Sequence, residues 1–282
     1  IVQEEDAADI AKPTIEQPTT QQFLAPRPRC TFNAEFVTGL MGAGGGQRVV
    51  CVVGDHLAGK TAFCDLLLRS SRSFEAGEQP GSLCDFWVAE RERQCTLQPK
   101  LCSCLLGGSD QKTYLLQLLD TPGHPDLFEE AAACLLACDH VLFVVDALEG
   151  PGEHGQRLLA EARRLQKPLT CFVNKIDRLI VEAKLPPNDA YLRLRELVEP
   201  LGPAAHVAFG SALYSLFFTF ETAGELYLRG CTALPPRQVF WDDVYWCAEE
   251  GFSAKPCSPV HARTFVDFCL LPLYKVFAHV PA

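Results

Sequence analysis

The sequence predicts an α/β fold in which a mostly parallel sheet is flanked by helices, with a small inserted subdomain towards the carboxyl end. Three observations carry that expectation. Short aliphatic and β-branched runs recur along the chain, stretches of helical apolar spacing lie between them, and each run stops at a cluster of Gly, Asp, Asn or Ser. Alternation of this kind builds parallel strands with crossover helices on both faces, and ligands then bind beyond the carboxyl ends of the strands.

In chain order, residues 1–46 read as an acidic, largely extended arm, with Glu4, Glu5, Asp6 and Asp9 near its start and Pro13, Pro18, Pro26 and Pro28 breaking any periodicity. Residues 47–223 form the core. Its first strand is VVCVV (49–53), followed by YLLQLL before Asp120, VLFVV before Asp146, LTCFV before Asn174 and HVAF before Gly210. Helical spacing covers 127–136, 156–165 and 190–198. Residues 224–262 lose the alternation, mixing Phe240, Trp241, Tyr245 and Trp246 with prolines, and read as the inserted subdomain. A closing helical segment, 263–282, is interrupted by Pro272.

Composition narrows the function. A 48% share of hydrophobic residues is ample for a core, and a net charge of −10 opposes extended contact with phosphate backbones, so little direct nucleic-acid contact is expected. No apolar run reaches the ~18 residues of a membrane span, and the acidic start is unlike a signal peptide, so no membrane partner is expected. Fourteen cysteines at irregular spacing, without C-x2-C pairs, read as reduced thiols rather than a disulfide scaffold or metal cluster. Because it starts at Ile1, the chain reads as a piece of a longer protein.

The chemistry lies at the strand ends. Gly54-Asp55-His56-Leu57-Ala58-Gly59-Lys60-Thr61 fits G-x4-G-K-[ST] directly after a strand. In that context the amides of 55–61 surround phosphates, Lys60 neutralises β/γ charge and Thr61 ligates Mg²⁺. A second strand ends in Asp120-Thr121-Pro122-Gly123-His124, where Asp120 can hold Mg²⁺ through water and the Gly123 amide can sense a γ-phosphate. The third ends in Asn174-Lys175-Ile176-Asp177, whose carboxylate can accept from guanine N1–H and the exocyclic amine, a pair adenine lacks. At the fourth, the amides of Ser211 and Ala212 can meet guanine O6.

These motifs in this order resemble those of Ras-like GTPases, which implies a P-loop G domain binding GTP or GDP with Mg²⁺. The string DTPGH resembles the translation-factor branch, where the last residue orients the attacking water; here that is His124. Upstream, Glu90-Arg91-Glu92-Arg93-Gln94-Cys95-Thr96 looks like that branch's E-x-E-R-x-x-T first switch, which makes Thr96 a second Mg²⁺ ligand when the γ-phosphate is present. NKIDRLIVEAKLPPNDAYLRLRELV (174–198) is similar to the U5 small nuclear ribonucleoprotein (snRNP) GTPases, relatives of eukaryotic elongation factor two. TFNAEFVTGLM, VAFGSALYSLFFTF, FWDDVYW and FVDFCLLPLYKVF extend that resemblance over about 31–282.

The resemblance implies a GTP-hydrolysing switch in pre-mRNA splicing, slow in isolation and nuclear. Its implied partners are the large U5 scaffold protein, the U5 helicase and U5 snRNA. A ribosomal translocase and a non-hydrolysing holder of GTP are the competing functions. Four departures stand out: Asp55 where the family has His, Leu57 where translation factors carry Asp, Gln94 where a small residue is usual, and a shortened segment between Pro200 and Val207.

Overall fold

The structure, a computed structural model, describes residues 34–42, 46–71, 82–85, 87–107, 112–202, 205–228, 234–247, 251–255 and 262–279. The five runs singled out above become β1 (Gln47–Val53), β3 (Thr113–Asp120), β4 (His140–Asp146), β5 (Leu169–Asn174) and β6 (His206–Ser211). They pair in parallel, in the order β3-β1-β4-β5-β6. Two further strands flank them antiparallel, β2 (Lys100–Gly107) beside β3 and β7 (Leu216–Thr219) beside β6, giving a seven-stranded sheet.

Successive residues on a strand point to opposite faces, and the two cores follow that rule. From β4, Val141, Phe143 and Val145 enter one core while Leu142 and Val144 enter the other; from β5, Cys171 and Val173 oppose Phe172. On the first face lie α4 (Phe128–Ala137), α5 (Glu153–Arg164) and α7 (Pro187–Val198), contributing Leu135, Leu158 and Tyr191. On the second lies α2 (Lys60–Ser70), through Cys64 and Leu68. Truncating a buried ring such as Phe143 or Phe172 to Ala costs ~3–5 kcal/mol, because a packed interior only partly refills the void.

Several expectations are refined. Residues 1–33 and 43–45 of the arm lie outside the described residues, and 34–42 are not extended but form α1 (Ala34–Gly42). The boundary expected at 224 falls inside α8 (Phe220–Tyr227). In the described part of 224–262, α9 (Pro236–Trp241) places Val239, Phe240 and Trp241 in the first core, and Tyr191 donates its hydroxyl to the Trp241 carbonyl at 2.8 Å. Phe240 and Trp241 therefore seal the main core, and among the described residues the hairpin β8 (Tyr245–Cys247)/β9 (Gly251–Ser253) forms a second sheet. Near the end, Pro272 has no N–H for the carbonyl four residues back, and the chain absorbs this with a π turn over Val266–Leu270 before α10 (Leu271–Ala278).

Among the described residues ten cysteines are free, as expected, whereas Cys247 is disulfide-bonded. Among the described residues no helix is long and apolar enough to cross a membrane.

Candidate nucleotide-binding site

The loop 54–59 turns from the buried end of β1 into α2, whose first residue is Lys60. Lys60 is 5% exposed, and its ammonium donates to the carbonyls of Gly54 (3.0 Å) and Asp55 (2.8 Å). Burial pushes this amine below its usual range, against the pull of Asp120 and Asp55. Two glycines permit the fold here. Gly59 has φ +93°, and a Cβ on it would lie 2.3 Å from Asn174 Nδ2. A Cβ on Gly123 would lie 2.3 Å from Lys60 Nζ and 2.8 Å from the Asp55 carbonyl, so the loop and the end of β3 meet at a spacing no side chain allows.

His56, Leu57, Gly59, Lys60, Thr61 and Gly123 contribute to the lining of a cavity of about 640 Å³. The Asp55 carboxylate is committed elsewhere. It accepts from the amides of Gly152 and Gly155, both at 2.8 Å, and so caps the N-terminus of α5. What Asp55 offers the site is its backbone, not its side chain.

At the far end of that cavity three separate elements bring oxygen donors together. Thr61 Oγ1 donates to Asp120 Oδ2 at 2.7 Å and lies 2.9 Å from Thr96 Oγ1. Asp120 is fully buried, its Oδ1 has no partner, and burial pushes its carboxyl up to about 7. Two hydroxyls beside a carboxylate with an orphaned oxygen form a hard donor set that suits Mg²⁺. Among the described residues no group of three His, Cys, Asp or Glu could hold a metal.

Thr96 owes its position to Glu90, the first residue of its own motif, and to Lys100 and Asp85, which the motif analysis did not single out. Glu90, on α3 (Val88–Arg93), is wholly buried and accepts from the amides of Leu97 (2.9 Å) and Gln98 (3.4 Å). Lys100, the first residue of β2, pairs with both Glu90 and Asp85. Gln94 ends α3 with φ +51°, a left-handed conformation that costs a non-glycine residue ~1–2 kcal/mol and explains why a small residue suits this position.

His124 stands apart from the phosphate cavity. Its side chain is 48% exposed, Nδ1 accepts from the Asp126 amide at 3.3 Å, and its ring lies 6.1 Å from that of His56. With His56, Cys95 and Asp126 it lines a neighbouring cavity of about 430 Å³.

The base end is held by Asn174, which is 1% exposed. Its Nδ2 donates to the Ala58 carbonyl and its Oδ1 accepts from the amides of Lys175 (2.8 Å) and Ala212 (2.9 Å), so one side chain ties three motifs together. Lys175 reaches Asp146 at 3.0 Å. Burial works against the Asp146 carboxylate, yet Lys175 and the Leu148 and Glu149 amides hold it below its usual range. Asp177 and Ser211 are both buried, and Asp177 Oδ1 and Ser211 Oγ have no partner.

The elongation factor Tu GTP binding domain family matches residues 46–253, most of the chain and all four motifs. The chain belongs to this family. It is therefore a GTPase domain of α/β fold, and guanine nucleotide is its ligand. Among curated relatives, the 110 kDa U5 small nuclear ribonucleoprotein component CLO of Arabidopsis thaliana is 31% identical over 99% of this chain. Pre-mRNA-splicing factor cwf10 of Schizosaccharomyces pombe is 30% identical over 98% of it. Elongation factor-like GTPase 1 of Homo sapiens is 33% identical over 64% of it and is covered for 16% of its own length. The chain spans 31% of the length of each of the two splicing relatives.

Proposed function

We propose that this GTPase domain is a GTP-binding and GTP-hydrolysing switch of the U5 snRNP, acting in the nucleus during pre-mRNA splicing. The observation that carries the reading is the meeting of Thr61, Thr96 and Asp120 from three elements at 2.7 and 2.9 Å, a donor set able to share one Mg²⁺. Bound there, Mg²⁺ supplies charge neutralisation on the β- and γ-phosphate oxygens. Lys60 exchanges its two carbonyl partners for phosphate oxygens, and the loop amides and the Gly123 N–H bind around it. Asp177 accepts from the two guanine donors, with Ala212 and Ser211 at O6, while Asn174 keeps the base end in register with the phosphate loop.

His124 orients the attacking water once it leaves Asp126. That movement needs a partner surface, so the isolated domain hydrolyses GTP at ~10⁻⁴ to 10⁻² s⁻¹. The large U5 scaffold protein, the U5 helicase and U5 snRNA are the proposed partners; the name of the Arabidopsis relative supports the particle, and that of the Schizosaccharomyces relative supports splicing. A non-hydrolysing GTP holder is the second reading, favoured by the position of His124 outside the phosphate cavity. Identifying the nucleotide carried by the purified chain, then measuring single-turnover hydrolysis with and without His124→Ala, tests both. ATP bound as tightly as GTP overturns the guanine assignment, and no turnover in wild type leaves the holder.

A further inference from the structure

The segment around Thr96 is fastened by a set of charges that lie beside the phosphate cavity. Lys100 is 5% exposed and Glu90 is wholly buried. The Lys100 ammonium is paired with Glu90 Oε2 and, at 3.0 Å, with Asp85 Oδ1. Each carboxylate then spends its remaining capacity on the segment between them. Asp85 Oδ1 accepts from Thr96 Oγ1 at 3.4 Å, and Glu90 Oε1 accepts from the amides of Leu97 and Gln98, the two residues that follow Thr96. Arg91 closes the other end, donating to the carbonyls of Asp85 (2.9 Å) and Ser82 (2.7 Å). Antiparallel pairing sets Lys100 directly opposite Asp120, so the latch is anchored on the strand next to the metal cluster.

We propose that Lys100 is a positioning residue: through Asp85 and Glu90 it holds Thr96 at the Thr61–Asp120 cluster whether or not the nucleotide carries a γ-phosphate, so GTP binds without the cost of ordering this segment. The inference rests on the guanine-nucleotide reading above. The physical reason is that a ligand's apparent affinity is reduced by the fraction of protein outside the binding-competent state, and a segment the protein already orders removes that reduction. Removing Lys100 leaves two buried carboxylates unpaired, which drives the segment out and makes the γ-phosphate the agent that brings it back.

The test is amide hydrogen exchange at Leu97 and Gln98 in the whole chain with GDP and with a non-hydrolysable GTP analogue, combined with the affinities of both nucleotides for wild type and Lys100→Met. Wild-type protection equal within about threefold in the two states is expected, with loss of protection in Lys100→Met under GDP, its recovery under the analogue, and a GTP-to-GDP affinity ratio lowered about fivefold or more. Wild-type protection that rises about tenfold with the analogue overturns the proposal. So does a Lys100→Met variant that melts lower while its affinity ratio stays unchanged, because that is the behaviour of a merely structural ion pair. Should Lys100→Met fail to fold, the wild-type exchange comparison decides alone. If neither nucleotide binds in titration, the guanine reading fails, whereas exchange in the nucleotide-free chain still reports on the latch.

Discussion

At the phosphate end Lys60, Thr61 and Thr96 already have protein partners, while at the base end Asp177 Oδ1 and Ser211 Oγ are buried with none. The first arrangement exchanges one set of bonds for another when ligand arrives, so its net gain is modest and its geometry can change. The second holds buried polar atoms without a protein partner, so on the proposed reading a mismatched base leaves them at full cost. Movement belongs to the first region and selectivity to the second.

The comparison breaks most sharply at Lys60. Lys60→Ala should lower GTP and GDP affinity ~10²–10³-fold in a fluorescent-nucleotide titration, since a buried cation is lost from beneath the phosphates. A loss under tenfold would mean that the loop amides carry the phosphates unaided. At the base end, Asp177→Asn should shift preference from guanosine to xanthosine nucleotides by roughly a hundredfold, because the amide now donates where the carboxylate accepted. Unchanged guanosine affinity would place the base elsewhere. Smaller again, Thr96→Ala should weaken GTP binding about tenfold when Mg²⁺ is present and very little when it is chelated. Loss of similar size for GDP would mean that Thr96 serves the Mg²⁺ site with either nucleotide.

The smallest effect concerns His154, in the first turn of α5, which is 5% exposed with neither ring nitrogen hydrogen-bonded and the Phe128 ring 5.9 Å away. Burial lowers its pKa below the ordinary value of 6.5. On acidification the unfolded chain therefore takes up this proton first, so the contribution to stability is full above about pH 6.5 and is lost as pH falls towards the depressed folded value. His154→Gln should narrow the gap between melting temperatures at pH 7 and pH 5 by a few degrees at most. A gap left at its wild-type width would show that other groups set the acid limit.

What could be read from the sequence follows from how local each signal is. VVCVV before Gly54 and VLFVV before Asp146 announce buried parallel strands on their own, because a strand covered on both faces is apolar throughout. The base-end motif stands out equally well, since Asn174 and Asp177 lie three residues apart, but the bonds by which Asn174 ties Ala58, Lys175 and Ala212 together appear only in the structure. Lys100 gave no such notice. Its importance comes from an antiparallel register that sets it against Asp120 and from a turn of α3 that brings Glu90 beneath it, and both are tertiary. Asp55 misleads for the same reason, since a carboxylate inside a phosphate loop is understood only once Gly152 and Gly155 are seen facing it. Trp241 reads in sequence as part of an inserted subdomain and in space packs into the main core.

The two bonds from Asp55 to the start of α5 have a consequence for time rather than affinity. They fasten the loop that encloses the phosphates to a helix end a hundred residues further along the chain, at Gly155. Helix ends fray, and when this one does the Asp55 carboxylate loses both amides at once, so the carbonyl that steadies Lys60 is released with it. Dwell time of the bound nucleotide then inherits the opening frequency of α5, and warming should accelerate nucleotide departure and amide exchange at Gly155 along parallel curves.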